Sequence, residues 1–268
     1  MSTGTIRHTH RMNDKGLFSL NFHPNEGWVA IGKAERLAFL FVDTWEVRLG
    51  PDLRLGYPRC ALAGDGRLLV AIEAIREVSA IQAWHLGPGH LVEPAWLQGP
   101  HTFVGYDNPA ISQDGRTVAV STLGAEDHSW QSIQVRTGET GDLELTMDYD
   151  AGEPIQQLAF TTDGALLLVR SYSRTVKAFD PATGRAVGEL VHPRRSYVTG
   201  LAVHPGGKAI ATCRNDGTVW LWEPATLQPI RTFDWKLGKL VSVAFSPDGL
   251  LAAAGTEDGQ VVVWDLDW

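Results

Sequence analysis

The chain has 268 residues, 44% of them hydrophobic and 20% charged, which is enough apolar material to bury a core and excludes disorder over most of its length. Its 31 acidic against 23 basic residues leave a formal charge of −8, which argues against a general nucleic-acid binder. Cys60 and Cys213 are too few for a disulfide scaffold or a Cys-rich zinc site, and read as small core residues in a reducing compartment.

In chain order, the N-terminal stretch Met1-Ser-Thr-Gly-Thr-Ile-Arg-His-Thr-His10 is polar and carries no secretory leader pattern. The longest apolar runs, 37–42 and 165–169, fall far short of the roughly 20 residues that cross a bilayer, so a soluble, cytoplasmic protein without membrane contact is expected. A turn signal then recurs along the whole chain. It reads Leu20-Asn-Phe-His-Pro-Asn-Glu-Gly27, Cys60-Ala-Leu-Ala-Gly-Asp-Gly66, Ala110-Ile-Ser-Gln-Asp-Gly115 and Ile155-Gln-Gln-Leu-Ala-Phe-Thr-Thr-Asp-Gly164. The last two copies are Val198-Thr-Gly-Leu-Ala-Val-His-Pro-Gly-Gly207 and Val241-Ser-Val-Ala-Phe-Ser-Pro-Asp-Gly249.

The turn glycines are spaced by 39, 49, 49, 43 and 42 residues. Within each unit a short run alternates apolar and polar residues, the period of a half-buried strand. An Asp-Gly or Gly-Gly turn follows, where glycine accepts the backbone a tight hairpin needs. A more apolar strand comes next, then a third that ends in an aromatic residue and an acid in the later units: Phe179-Asp180, Trp222-Glu223 and Trp264-Asp265. No helical period is sustained anywhere, so the chain is predicted to be all-β.

These units resemble the WD-repeat family, whose period is near 40–45 residues with four strands per propeller blade and a Trp-Asp ending. In the first three units Phe41-Val42, Trp84-His85 and Val135-Arg136 are read as filling the Trp-Asp slot. The resemblance implies one β-propeller domain of six four-stranded blades, with repeats at about 13–52, 53–101, 102–151, 152–194, 195–236 and 237–268. It also implies that residues 1–12 supply a strand that completes the last blade. The family's structural hydrogen-bond network maps onto Thr212, Asp216 and Trp222, with His192 at an unusual spacing, and onto Asp258 and Trp264, where Ala253 or Ala254 stands in place of the hydroxyl.

The family binds partner proteins mostly through one rim, the top, formed by the loops between the second and third strands and those that enter each blade. Tyr106, Trp130, Tyr172, Arg174, Arg194, Arg195, Tyr197, Arg214 and Trp235 are placed there. Tyrosine, tryptophan and arginine are enriched at interface hot spots, and the arginine fork suits carboxylates. Residues 170–214 hold eight bases and two acids, and 121–163 hold nine acids and one base, an asymmetry that can orient a charged partner. A non-catalytic scaffold for a protein or acidic peptide, monomeric on its own and without cofactor, is the expectation. No nucleophile elbow, phosphate loop or Cys-x-x-Cys pair is present. The rival readings are a small-ligand sensor and a lactonase-like, metal-dependent hydrolase, both using the central channel. For the latter, Asp107, Asn108 and Glu153 are too few to build a calcium shell, and the His8/His10 pair lacks an acidic partner.

Overall fold

A computed structural model of the chain describes residues 17–33, 36–52, 59–75, 78–87, 92–102, 109–123, 131–149, 153–192 and 196–267. These form six antiparallel sheets, each built from consecutive strands in sequence order, arranged as a six-bladed β-propeller without helices. Blade 1 is Leu17–Phe22, Trp28–Lys33, Arg36–Phe41 and Val47–Asp52 (β1–β4); blade 2 is Arg59–Leu62, Leu68–Ile75, Val78–Leu86 and Val92–Thr102 (β5–β8). Blade 3 is Ala110–Ile111, Thr117–Leu123, Gln131–Thr137 and Leu143–Tyr149 (β9–β12); blade 4 is Ile155–Phe160, Leu167–Ser171, Thr175–Phe179 and Ala186–Val191 (β13–β16). Blade 5 is Val198–Val203, Ile210–Arg214, Thr218–Trp222 and Pro229–Asp234 (β17–β20). Blade 6 has three strands among the described residues, Leu240–Phe245, Leu251–Thr256 and Val261–Asp265 (β21–β23). The closing strand expected from residues 1–12 lies outside the described residues.

The two faces of each sheet explain the alternation seen in the sequence. In blade 5, Leu201, Ile210 and Trp222 pack backwards against Leu168 and Val176 of blade 4. Ala211, Cys213, Val219 and Leu221 pack forwards against Leu240 and Val243 of blade 6. The core is therefore a set of wedges between blades. The turn glycines at 66, 115, 164, 207 and 249 have φ between 68° and 77°, where an L side chain is strained. The first unit's turn has the same length, with Glu26 at the place of these glycines and Gly27 one residue later, where it is not left-handed.

Strand register corrects the Trp-Asp assignment in two units. Ile210 pairs with Trp222, and the residue at the same place in each second strand pairs with Leu40, Trp84, Arg136, Phe179 and Trp264. In the first unit the slot thus holds Leu40, while Phe41 turns to the blade 2 side. In the third it holds Arg136 itself, buried and donating to Gln134 Oε1 and Gly141 O at 2.7 and 2.8 Å.

His23 and His204, which stand in the turns, latch neighbouring blades. His204 Nε2 lies 3.0 Å from the Gly249 carbonyl oxygen, and His23 Nε2 lies 3.1 Å from that of Gly66.

Candidate functional site

On the top rim, described loops of blades 4 and 5 are joined by a main-chain hydrogen bond. Ser173 O accepts from Val198 N at 3.0 Å, tying the β14–β15 loop to the loop that enters β17. Tyr197 N donates to Asn215 Oδ1 at 2.8 Å, and Asn215 N donates back to Tyr197 O at 3.1 Å. Ser173, Arg174, Ser196 and Tyr197 line a groove of about 420 Å³ between these loops. Tyr172 and Tyr197 are each more than half exposed, and Arg174, which lines the groove with Tyr197, is exposed as well. An exposed guanidinium and a phenol lining one groove suit an extended, acidic segment, with the ring covering apolar stems and the fork taking a carboxylate.

Beneath this groove lies a charged network with no access to solvent on its basic side. Arg214 is fully buried, and its Nη1 lies 3.2 Å from Asp216 Oδ2. Ser196 Oγ donates to the same carboxylate oxygen at 2.9 Å, and Arg214 Nη2 donates to Ser196 O at 3.4 Å. Asp216 Oδ1 accepts from Thr218 N and Oγ1. Burial pushes the Asp216 carboxyl up, but the Thr218 and Ser196 hydrogen bonds and the Arg214 charge outweigh it and hold it below the usual carboxylate range. The pair thus fixes Ser196 and with it the backbone of Tyr197. Arg214 supports the groove from inside and is not presented to a partner, which corrects its assignment as a contact residue.

Beside the ion pair, Trp222 Nε1 donates to Thr212 Oγ1 at 2.9 Å, and Thr212 Oγ1 lies 3.2 Å from His192 Nε2. His192 stands edge-on to Trp222, with ring centroids 4.8 Å apart. The expected Thr212, Trp222 and His192 members are joined, whereas Asp216 serves the ion pair. Burial, helped by the Arg214 charge, lowers the His192 pKa from 6.5 to about 3, so its ring is neutral at physiological pH. Because the folded pKa is depressed, the unfolded chain takes up this proton first. The His192 contribution is therefore complete above pH 6.5 and is lost as pH falls from there towards 3. Wild-type stability to denaturant is expected to drop more between pH about 7.5 and about 5 than that of His192→Gln, which cannot titrate there. Equal losses would contradict the buried neutral ring.

Blade 6 repeats this arrangement with substitutions. Trp235 occupies the place of His192, following β20 as His192 follows β16, and packs on Trp264 at 4.6 Å and on Phe233 at 5.3 Å. It thus packs, half-buried, against the blade 5–blade 6 core. Register puts Ala254 at the position of Thr212, and the buried Trp264 Nε1 has no hydrogen-bond partner. Asp258 accepts from Thr256 and Gln260, as Asp216 accepts from Thr218. Ala254→Ser supplies the missing acceptor and is expected to raise stability by about 1 kcal/mol in urea unfolding; no change or a loss would contradict that reading of Trp264.

Tyr106, Trp130, Arg194 and Arg195 lie outside the described residues, as do Asp107 and Asn108. Arg170 also turns inward, donating to the Gln156 and Val198 carbonyls, and Arg185 and Lys208 lie on the opposite rim. The charge contrast read along the chain therefore leaves Arg174 as the described base of this stretch at the top. Glu153 is exposed, and no group of three or more His, Cys, Asp or Glu suited to a metal occurs among the described residues. Burial pushes the Cys213 thiol up to about 11, so it is protonated at neutral pH. On the opposite rim the inner turns of all six blades meet at a pit of about 600 Å³ lined by Phe22, His23, Gln113, Thr162, Pro205 and Asp248 among others.

The family model for "WD domain, G-beta repeat" matches residues 184–223 and 227–265, which bracket β17–β19 and β21–β23. Two of the six blades thus match the repeat of this family. The chain is 29% identical over 127 residues to WD repeat domain-containing protein 83 of Danio rerio, covering 46% of this chain and 39% of that protein. It is 28% identical over 102 residues to Target of rapamycin complex subunit LST8-1 of Arabidopsis thaliana, covering 38% and 33%. With Pre-mRNA-processing factor 19 of Oryza sativa subsp. japonica the identity is 20% over 258 residues, covering 96% of this chain and 39% of that protein. The matches thus span between 33% and 39% of these three WD-repeat relatives' own lengths. Among the described residues no helix is long and apolar enough to cross a membrane.

Proposed function

We propose that this WD-repeat chain is a non-catalytic interaction module that binds an acidic segment of a partner protein in the top groove between blades 4 and 5. The observation that carries this reading is the groove that exposed Arg174 and Tyr197 line, on loops pinned by main-chain hydrogen bonds, with exposed Tyr172 on the same β14–β15 loop. A rigid frame lowers the ordering cost of binding, so exposed aromatic side chains held this way suit a contact better than mobile ones. The similarity to a named subunit of the Target of rapamycin complex supports a scaffold role. Buried, protonated cysteines and the neutral, hydrogen-bonded His192 offer no activated nucleophile or base in the described part of this rim.

The test is affinity capture from the native host with wild type beside the double variant Arg174→Glu, Tyr197→Ala. A protein held by wild type and lost by the variant supports the module and its face. Retention by both places the interface elsewhere.

A further inference from the structure

The pit on the rim opposite the groove forms where the innermost strands of the blades end in their turns, so it lies on the axis of the propeller. Its wall is apolar through a repeated register. Ile111, Phe160 and Val203 close the inner strands of blades 3, 4 and 5, and Phe22 does so in blade 1. Phe22 pairs with Val29 as Phe160 pairs with Leu167, yet Phe22 is 69% exposed and Phe160 7%. Two residues beyond the strand ends, Pro24, Pro205 and Pro247 line the pit from blades 1, 5 and 6. Proline carries no N–H, so these turns offer ring carbons in place of donors.

Polar groups are few here, and three of them are uncommitted. The side-chain amides of Asn25 and Gln113, and Oδ2 of Asp248, have no hydrogen-bond partner among the described residues. Asp248 Oδ1 is taken by its own turn, accepting from Ser246 Oγ and from Leu250 N at 3.0 Å, and these bonds hold the carboxyl below the usual carboxylate range. His23 Nδ1 accepts from Asn25 N and Glu26 N at 3.2 and 2.9 Å, which directs the Nε2 proton to the Gly66 carbonyl, so this ring presents no N–H to the pit. No lysine or arginine lines the pit among the described residues, which leaves the Asp248 carboxylate as its fixed charge.

A concave site of about 300–1,000 Å³, apolar with a few placed polar groups, is the usual form of a small-molecule site. The carboxylate sets the sign of the ligand. An ammonium pairs with Asp248 Oδ2 while an apolar body lies on the phenyl rings and prolines, and phenyl faces attract cations as well. An anion meets Asp248 with no base to offset it. We propose that the pit binds a small organic cation, an amine carried on an apolar body of one or two rings. This site is on the other rim from the Arg174 groove and stands whether or not that groove takes an acidic segment.

Saturation-transfer NMR on the 268-residue chain tests this, with tryptamine and 2-phenylethylamine as probes beside the carboxylates indole-3-acetate and phenylacetate. Transfer to the ring protons of an amine is expected, and none to either carboxylate. Asp248→Asn removes the charge and keeps an acceptor for Leu250 N. It is expected to weaken amine binding by at least about 10-fold, the scale of a hydrogen bond to a charged group. Phe22→Ala is expected to weaken it as well. Asp163→Asn makes the same change at the same turn place in blade 4, where Asp163 accepts from Ala165 N and does not line the pit, and is expected to leave binding as it was. All three positions are exposed, so far-UV circular dichroism is expected to stay that of wild type. No transfer to either amine, or equal transfer to amines and carboxylates, overturns the proposal. So does binding at wild-type strength in Asp248→Asn or Phe22→Ala, or an equal loss in Asp163→Asn and Asp248→Asn.

Discussion

Asp216→Ala is expected to lower the unfolding free energy by about 3–5 kcal/mol, the cost of leaving a buried charge without its partner. Arg214 has no exposed side-chain surface, so it cannot recover water when the carboxylate is removed. The same change takes away the acceptor for Ser196 Oγ and for Thr218, which loosens the loop that carries Tyr197. The double variant Arg214→Met, Asp216→Asn is expected to recover more than half of the loss, because it removes the buried charge and keeps an acceptor for Thr218. Equilibrium urea unfolding of the three proteins decides it. A single variant within about 0.5 kcal/mol of wild type would mean that the pair is surface decoration.

Arg174→Glu combined with Tyr197→Ala is expected to weaken partner binding by at least about 30-fold, the equivalent of about 2 kcal/mol for an interface hot spot. Both side chains are exposed, so the thermal midpoint is expected to stay unchanged, which separates a binding loss from a folding loss. Asp248→Lys at the pit on the opposite rim serves as the control and is expected to leave affinity as it was. Weaker binding by the control and not by the double variant would move the interface to that pit. Calorimetric titration with the captured partner gives all three values.

The architecture was legible because it rests on backbone requirements that few residues meet. Five of the six turn glycines have a left-handed φ, and their spacing sets the phase of the strands on either side. Finer detail was hidden where a different residue type takes over a structural place. Leu40 and Arg136 sit where tryptophan is the signal, so an aromatic residue next to the slot, or a charge inside it, shifts the reading by one position. Trp235 replaces His192 against the neighbouring indole, and an aromatic residue in a loop does not announce whether it points out or in. Arg214 is the sharpest case. An arginine at the end of a strand reads as surface charge, and only the pairing with Asp216 two residues later, across a turn, makes its burial affordable in physical terms. That i, i+2 spacing of Arg and Asp around the turn was the available signal.

The most direct measurement is site-specific photo-crosslinking in the native host, with a benzophenone amino acid placed at Tyr197 in one protein and at Asn25, exposed on the opposite rim, in another. The interaction-module account predicts a discrete crosslinked protein from position 197, mapping to an acidic segment, and none from position 25. A crosslink from position 25 with none from 197 would contradict it.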